Sequence, residues 1–247
     1  MTTSFLRSVS FVTLAWALMA SASAAPKYKT NLPPSAELTY SITAKQKGIT
    51  LEGNGLMRWS VADNKFSASN EARAMLIGKI LDAKTEGVVD ANGLAPVTFT
   101  EKRFRRDPTT TTFDRASKTI RFTASDKSYP ITGGEQDRNS TIWQLISVAR
   151  AAPAKFKPGS SWIFFVAGRR DADQWTFKVT KREKIDTPLG SMDALHVVRV
   201  PPSDSKEQTL DIWLAPTLEW YPARLRFSED EGDYIEQTLQ KVEKKAS

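Results

Sequence analysis

The sequence has 247 residues, of which 40% are hydrophobic and 26% are charged, with one histidine, no cysteine and a formal net charge of +7 at pH 7. Without cysteine, the chain has no disulfide, no cysteine nucleophile and no cysteine-ligated cluster. One histidine is too few for a Cys/His zinc site, so we predict no metal site. The composition is that of a foldable globular protein.

The first residues have the three parts of a secretory signal peptide. Arg7 supplies a positive charge, an apolar run follows over 9–20, and small residues end the segment. The run is shorter than the roughly 20 apolar residues that span a bilayer. We predict a signal peptide over 1–24, with cleavage after Ala24 or, as the neighbouring option, after Ala25. The remaining residues, 25–247, are predicted to form a single domain that does not span the membrane.

The mature part of the chain reads mostly as β-strands. Apolar and polar residues alternate in several segments, a pattern that is typical of half-buried antiparallel strands. The clearest segments are 37–44, 120–125, 175–180, 210–214 and 223–227. Short runs of turn residues separate them, so we predict roughly ten to twelve strands joined mostly by hairpin loops.

One segment, 137–151, has helical periodicity instead. Ile142, Leu145 and Ile146 recur at helical spacing, and Pro153 ends the segment. These residues predict the one helix of the mature chain, with its apolar face buried.

Segment 162–166 (WIFFV) is apolar on both faces of a strand and must therefore be covered on both sides. A helix inside a curved sheet would supply the second cover. We predict an all-β fold, in which a long antiparallel meander is rolled into an open or spiral β-barrel around one α-helix. Gln144 and Ser147 are expected to be less buried than the apolar face of that helix.

Short motifs recur along nearly the whole mature chain. They are 37–40 (ELTY), 90–96 (DANGLAP), 113–114 (FD), 136–138 (QDR), 187–190 (TPLG), 211–216 (DIWLAP) and 221–224 (YPAR). In this order the chain resembles the periplasmic family known as domain of unknown function 3108. The resemblance implies a protein exported to the periplasm of a Gram-negative bacterium, with a rolled β architecture. It implies no established activity and no catalytic residues.

The residues themselves do not favour an enzyme. The sole histidine, His196, shares a predicted strand face with Ala194, Val198 and Val200, which is typical of a core or boundary position. The sequence has neither a Gly-x-Ser-x-Gly elbow nor a phosphate-binding loop. We therefore predict no catalytic residue and no cofactor.

Paired carboxylates keep one enzymatic alternative open, a hydrolase that acts on cell-wall or polysaccharide substrates. Asp211 and Glu219 are candidates for such a pair, but nothing in the sequence distinguishes them from the other acidic residues. Asp211 beside Arg224 predicts a cross-strand ion pair rather than a catalytic acid.

The basic cluster over 102–106 (KRFRR) is the densest group of positive charges. On a strand its charges would divide between both faces, so we predict a solvated sheet edge. The alternative is contact with anionic lipid headgroups or lipopolysaccharide phosphates. Nucleic acid is not expected as a partner of an exported protein.

Aromatic residues are the main indication of a binding role. The sequence has 7 tryptophans, and Trp16 is the one inside the predicted signal peptide. We predict a binding or structural protein of the cell envelope, whose partner is an apolar ligand, a lipid or another envelope protein. The candidate ligand-binding residues are Trp143, Trp162, Phe164 and Trp213. The alternative is that these aromatic side chains only fill the core.

Overall fold

A computed structural model describes residues 27–201, 208–229 and 232–245, so the predicted signal peptide over 1–24 lies outside the described residues. The strands are β1 (Ala36–Gln46), β2 (Ile49–Ala62), β3 (Lys65–Ala74), β4 (Gly78–Asp90), β5 (Gly93–Arg103), β6 (Thr109–Asp114), β7 (Thr119–Phe122), β8 (Ser125–Pro130), β9 (Gln136–Asp137), β10 (Ser161–Ala167), β11 (Ala172–Thr187), β12 (Gly190–Val200), β13 (Thr209–Leu214), β14 (Pro222–Ser228) and β15 (Tyr234–Lys244). The helices are α1 (Ser140–Ala151) and a 3-10 turn (Pro216–Leu218).

All fifteen strands belong to one sheet, in the order β8-β7-β6-β5-β4-β3-β2-β1-β15-β14-β13-β12-β11-β10-β9. Neighbouring strands are antiparallel, except that β9 pairs with β10 in parallel. Because β8 and β9 lie at opposite margins of this order, the sheet is not closed by backbone hydrogen bonds. The predicted fold class, an antiparallel meander rolled around one helix, is confirmed.

The described residues contain more strands than the ten to twelve predicted. The extra strands are short and polar: β6, for example, has the sequence TTTTFD. Its buried positions include Thr109 and Thr111, so hydropathy does not distinguish the inward face of this strand from its outward face.

Side chains join the two margins of the sheet where backbone pairing stops. Thr111 Oγ1 of β6 donates a hydrogen bond to the carbonyl of Gly168, beyond β10, at 2.8 Å. The rings of Tyr129 and Phe165 lie 5.9 Å apart across the same seam. The sheet therefore wraps around an enclosed interior.

Helix α1 fills that interior, and all its residues from Ser140 to Ala149 are buried. Ile142, Leu145 and Ile146 are buried as predicted, but the expectation that Gln144 and Ser147 are less buried is wrong. The roll and the segment before β1 cover the helix: Asn31 N donates to the carbonyl of Ser147, and Arg150 and Ala151 at the end of α1 are half-buried. No helix among the described residues is long and apolar enough to cross a membrane.

The helix begins later than the predicted 137–151. Residues 136–137 form β9 instead, and Asp137 Oδ1 accepts hydrogen bonds from the backbone N–H groups of Asn139 at 2.8 Å and Ser140 at 2.9 Å. These bonds satisfy donors at the start of the helix that have no partner within it.

Alternate connections of an antiparallel meander lie at the same end of the sheet. We call the end with the β1–β2, β3–β4, β5–β6 and β14–β15 connections the upper end. The β2–β3, β4–β5 and β11–β12 turns lie at the lower end. Helix α1 starts near the upper end, because Arg138 N donates to the carbonyl of Ala167 at the last residue of β10.

Candidate functional site

A cavity of about 780 Å3 lies in the upper part of the roll, beside the start of α1. Its apolar walls come from both halves of the sheet and from the helix: Leu81 and Phe99 on one side, Leu210 and Phe227 on the other, and Ile142. The volume falls in the range of about 300–1,000 Å3 that is usual for small-molecule sites.

The rim of the cavity consists of exposed residues at strand ends. Arg103 ends β5, Gln208 precedes β13, and Glu229 follows β14. These side chains are exposed and the walls below them are buried or half-buried, so the described part of the chain leaves the cavity open at the upper end of the roll.

Two guanidinium groups converge inside the cavity around one indole ring. The Cζ atom of Arg199 lies 3.8 Å from the ring centroid of Trp175, and that of Arg138 lies 5.8 Å from it. Cations are attracted to the face of an aromatic ring at such distances. Arg199 is only 5% exposed, and its Nη1 donates a hydrogen bond to the carbonyl of Gln208 at 3.4 Å. The site therefore combines apolar walls with positive charge.

Arg138 is positioned by close packing against the backbone. A Cβ atom added to Gly168 would lie 2.9 Å from Arg138 Nε, so glycine leaves the space that the guanidinium group occupies. Arg138 Nε is buried and has no hydrogen-bond partner among the described residues. Buried donors are normally paired, so an unpaired donor beside a cavity points to a partner that the described residues do not supply.

Two further polar atoms of residues in the cavity walls also lack a hydrogen-bond partner among the described residues. Asn70 Oδ1 and Gln237 Oε1 are buried and accept no hydrogen bond from the described residues. Both residues line the cavity, one from β3 and the other from β15. The apolar walls thus carry a few polar groups that can orient a bound molecule.

The buried carboxylate of the cavity is already neutralised by the protein. Glu101 is 6% exposed, and its Oε1 lies 2.6 Å from Arg103 Nε and 3.6 Å from Arg169 Nε. Because Glu101 has its own counter-charges, it does not compensate Arg138. Among the described residues Arg138 forms no ion pair, so its charge is suited to an anion in the cavity.

A buried network fixes the wall of the cavity that α1 provides. Asn139 Nδ2 donates to Thr85 Oγ1 at 3.1 Å and to the carbonyl of Ala68 at 2.9 Å, and Thr85 Oγ1 donates to Asp137 Oδ1 at 2.8 Å. Burial raises the pKa of Asp137 to about 6, although hydrogen bonds from Ser140 and Thr85 act in the opposite direction. The network ties the start of the helix to β3 and β4.

The four aromatic residues predicted to bind ligand do not line this cavity. Trp143 is fully buried and stacks on Trp59, with ring centroids 4.9 Å apart. Trp162 and Phe164 both contact the ring of Tyr28, at 5.1 and 5.5 Å. These three predicted residues lie in the packed core around α1.

Trp213, the fourth predicted residue, lies apart from the others on the outer face of β13. Its ring stacks on that of His196 at 4.4 Å, and its Nε1 donates to Glu183 Oε1 at 2.8 Å. His196 Nε2 lies 2.6 Å from Asp211 Oδ1. In the part of the chain that the structure describes, no serine or threonine side chain bonds to this imidazole, so no Ser–His–Asp arrangement is formed.

The predicted Asp211–Arg224 ion pair does not form. The register places Asp211 opposite Arg226 and Trp213 opposite Arg224, and the carboxylate of Asp211 turns to His196 on the other neighbouring strand. Sequence distance alone could not reveal which of the two neighbouring strands the side chain would meet.

Comparison with known proteins identifies the family. The sequence matches the family described as "Protein of unknown function (DUF3108)" over residues 39–240, and the chain belongs to this family. No curated protein matches the sequence significantly.

Solved structures of proteins from several bacteria were compared with this fold. A β-barrel-like protein of the DUF1849 family from Brucella abortus is 11% identical with a TM-score of 0.60, and the match covers 88% of this chain and 100% of that one. This likeness shows the fold alone. A DUF1329 family protein from Desulfovibrio piger (8% identity, TM-score 0.32, 87% of each chain) and a LolA superfamily protein from Nitrosomonas europaea (8%, 0.21, 89% of this chain and 90% of that one) are too distant to support an argument.

Proposed function

We propose that this chain is an exported binding protein of the Gram-negative periplasm whose cavity binds an amphipathic anion, an acyl chain with a carboxylate or phosphate head group. The observation that carries the proposal is the guanidinium group of Arg138, which forms no ion pair among the described residues and lies in a cavity with apolar walls. A purely apolar ligand would not need the charge of Arg138, and a small inorganic anion would not need the apolar walls.

The acyl chain would lie between Leu81 and Phe99 on one side and Leu210 and Phe227 on the other. Burial of apolar surface contributes about 25 cal/mol per Å2, which makes the chain the main source of affinity. The head group would accept hydrogen bonds from Arg138, whose Nε lacks a partner among the described residues. Charge-assisted hydrogen bonds of this kind are about twice as strong as neutral ones and would fix the orientation of the ligand.

The hydrolase alternative has less support from the described residues. His196 lies on the outer face of the sheet, away from the cavity, and its ring contacts Asp211, Glu183 and Trp213. The buried carboxylate in the cavity, Glu101, is held by Arg103 and Arg169. Neither group has the surroundings of a general base or acid that meets a substrate.

Binding of defined probes to delipidated mature protein tests the proposal. Palmitate, 1-palmitoyl-lysophosphatidylglycerol and uncharged hexadecanol would be titrated while tryptophan emission is recorded, because Trp175 lines the cavity. We expect saturable binding of at least one anionic probe, with a one-to-one complex in native mass spectra. The two anionic probes distinguish a carboxylate from a phosphate head group.

Two variants locate the bound head group. Arg138→Gln should weaken anion binding about tenfold or more, since hydrogen bonds to charged groups contribute about 1.5–3 kcal/mol, and should leave hexadecanol unaffected. The matched control is Arg170→Gln, which changes an exposed arginine outside the cavity lining. Absence of binding by both anions, or equal binding by the Arg138→Gln variant, would overturn the proposal.

A further inference from the structure

Exposed apolar side chains are concentrated at the upper end of the roll. The structure describes eight large hydrophobic residues that are exposed, and five of them lie at this end: Ile49, Met75, Leu76, Ile77 and Phe104. Leu76, at the tip of the β3–β4 hairpin, is 95% exposed. A monomeric protein normally buries such residues, so a cluster of them marks a surface that meets an apolar environment.

Backbone hydrogen bonds hold these tips side by side. Met75 N donates to the carbonyl of Glu52 on β2 at 3.0 Å, and Phe104 N donates to the carbonyl of Ile80 on β4 at 2.9 Å. The β3–β4 hairpin is thus fixed between β2 and the end of β5. The apolar tips form one surface rather than separate loops.

The basic cluster 102–106 belongs to this surface. The expectation that its charges divide between two strand faces holds only for Lys102 and Arg103, because β5 ends at Arg103. Phe104, Arg105 and Arg106 lie in the following turn. The guanidinium group of Arg105 lies 4.9 Å from the ring of Phe104. Among the described residues, Lys102, Arg105 and Arg106 form no ion pair, whereas Arg103 pairs with Glu101.

Several carboxylates lie on the same side of the upper end as the apolar tips, and three of them are paired: Glu71 and Asp82 with Lys79, and Glu101 with Arg103. Asp107 follows the basic cluster, but Glu229 and Asp233 belong to the β14–β15 connection and Asp171 to the β10–β11 connection. Lys127 Nζ lies 3.9 Å from Asp171, and Asp233 accepts hydrogen bonds from Lys47 N. Lys102, Arg105 and Arg106, which form no ion pair among the described residues, therefore add positive charge to the side that carries the apolar tips.

We propose that residues 75–77 and 102–106 form a docking surface for an anionic phospholipid bilayer. Met75, Leu76 and Ile77 would enter the boundary between headgroups and acyl chains, with Phe104 beside them. Lys102, Arg105 and Arg106 would contact lipid phosphates, since basic residues near an anionic membrane surface are strongly attracted to it. The mouth of the cavity lies at the same end, so docking would bring that mouth to the membrane surface.

Vesicle co-sedimentation of the full mature protein tests this surface. Vesicles of phosphatidylethanolamine with phosphatidylglycerol would be compared with vesicles of phosphatidylcholine alone. We expect binding to the anionic vesicles, weaker binding to the zwitterionic ones, and a decrease as salt is raised, because screening weakens exposed charges. Circular dichroism and thermal unfolding would verify that each variant is folded.

Two substitutions separate the apolar and the charged contributions. Leu76→Asp should lower the partition coefficient on anionic vesicles about tenfold or more, because it replaces an inserted leucine. The Arg105→Glu/Arg106→Glu double variant should lower it by at least about tenfold, since each basic residue near the surface contributes about a fivefold change.

Matched controls lie at the lower end of the roll. Leu189→Asp changes an exposed leucine in the β11–β12 turn, and Lys155→Glu/Lys157→Glu reverses two exposed charges after α1. Both should bind vesicles like the unaltered protein. Equal losses in the controls, or no vesicle binding at all, would overturn the proposal. A vesicle-independent dimer that Leu76→Asp dissociates would assign the surface to a second copy of the chain and also overturn it.

The proposed membrane surface does not depend on the proposed cavity ligand, because a different variant tests each of the two proposals. Arg138→Gln, inside the cavity, should retain vesicle binding while it loses the anionic probes. Leu76→Asp should retain the soluble probes while it loses vesicles.

Discussion

Gln144 on α1 forms a hydrogen bond with the backbone of Leu94 on β5, in the interior of the protein. Gln144 Oε1 accepts from Leu94 N at 2.9 Å, and Gln144 Nε2 donates to the carbonyl of Asn92 at 2.8 Å. A Cβ atom added to Gly93 would lie 2.6 Å from Gln144 Oε1, so the turn approaches the amide as closely as glycine allows. The helix is thereby joined to the β4–β5 turn by a polar contact as well as by apolar packing.

Removal of this amide should destabilise the protein. We expect Gln144→Ala to lower the free energy of unfolding by about 1–3 kcal/mol, because the buried N–H of Leu94 would lose its acceptor. Urea denaturation measures the change. Gln174→Ala, at an exposed position of β11, is the matched control and should stay within about 0.5 kcal/mol of the unaltered protein. A similarly small loss in Gln144→Ala would contradict the structural role of the amide.

Leu145 tests whether the helix is enclosed. Its side chain is fully buried, and Leu145→Ala should lower the free energy of unfolding by about 2–5 kcal/mol through lost burial and a residual cavity. Leu189→Ala, at an exposed turn, is the control. A loss of less than about 1 kcal/mol at Leu145 would indicate a helix on the surface of the sheet, contrary to the structure.

Asp137 should give stability a distinctive pH dependence. Its pKa is raised from 3.8 to about 6 in the folded protein, so between these values the folded chain retains a proton that the unfolded chain has released. The free energy of unfolding therefore contains a contribution that is full below pH 3.8 and is lost as the pH rises to about 6. The shift corresponds to roughly 3 kcal/mol at most.

The Asp137→Asn variant removes this contribution and keeps an acceptor oxygen for Asn139 N and Ser140 N. Relative to the unaltered protein, the variant should gain stability as the pH rises from about 4 to 6, with no further gain above about 7. Urea unfolding of both proteins across this range provides the measurement. A constant difference at all pH values would show that Asp137 does not titrate as proposed.

Export leads to a simple prediction about the N-terminus. If the signal peptide is cleaved as predicted, N-terminal sequencing of the protein from the periplasm should start at Ala25, or at Pro26 for the neighbouring site. An Ala24→Leu variant should accumulate as a precursor, because the cleavage site requires small residues. A protein that retains Met1 and sediments with membranes would be evidence against export.

The strands and the helix were predictable because their signals are local. Alternation over 175–180 indicated that Trp175 and Phe177 face inward, as they do. The two-sided apolar segment 162–166 indicated cover on both faces. Trp162 and Phe164 pack in the core with α1, whereas Ile163 and Phe165 on the other face are only half-buried. The burial of Gln144 was not predictable, because its partners are backbone groups of a turn about 50 residues away.

The cavity was not predictable, because it depends on which face of β12 turns inward. Val198 on one face and Leu195 and Val197 on the other are all apolar, so alternation does not choose between the faces. The structure turns Leu195, Val197 and Arg199 inward and leaves His196 on the outer face. An arginine beside Trp175 thus arises from long-range pairing, which no local pattern indicates.

The pairing of β1 with β15 has a consequence for how the chain acquires its structure. The first strand can complete its pairing only when the last strand is available, because Leu38 of β1 lies opposite Val242 of β15, more than two hundred positions along the sequence. Contacts of such large sequence separation form slowly, because loop closure must precede them. Until β15 pairs with β1, one edge of β1 has no backbone partner, and another strand can pair with it incorrectly. Folding should therefore be completed only after the whole chain has emerged, which makes assistance by chaperones most useful late in the process.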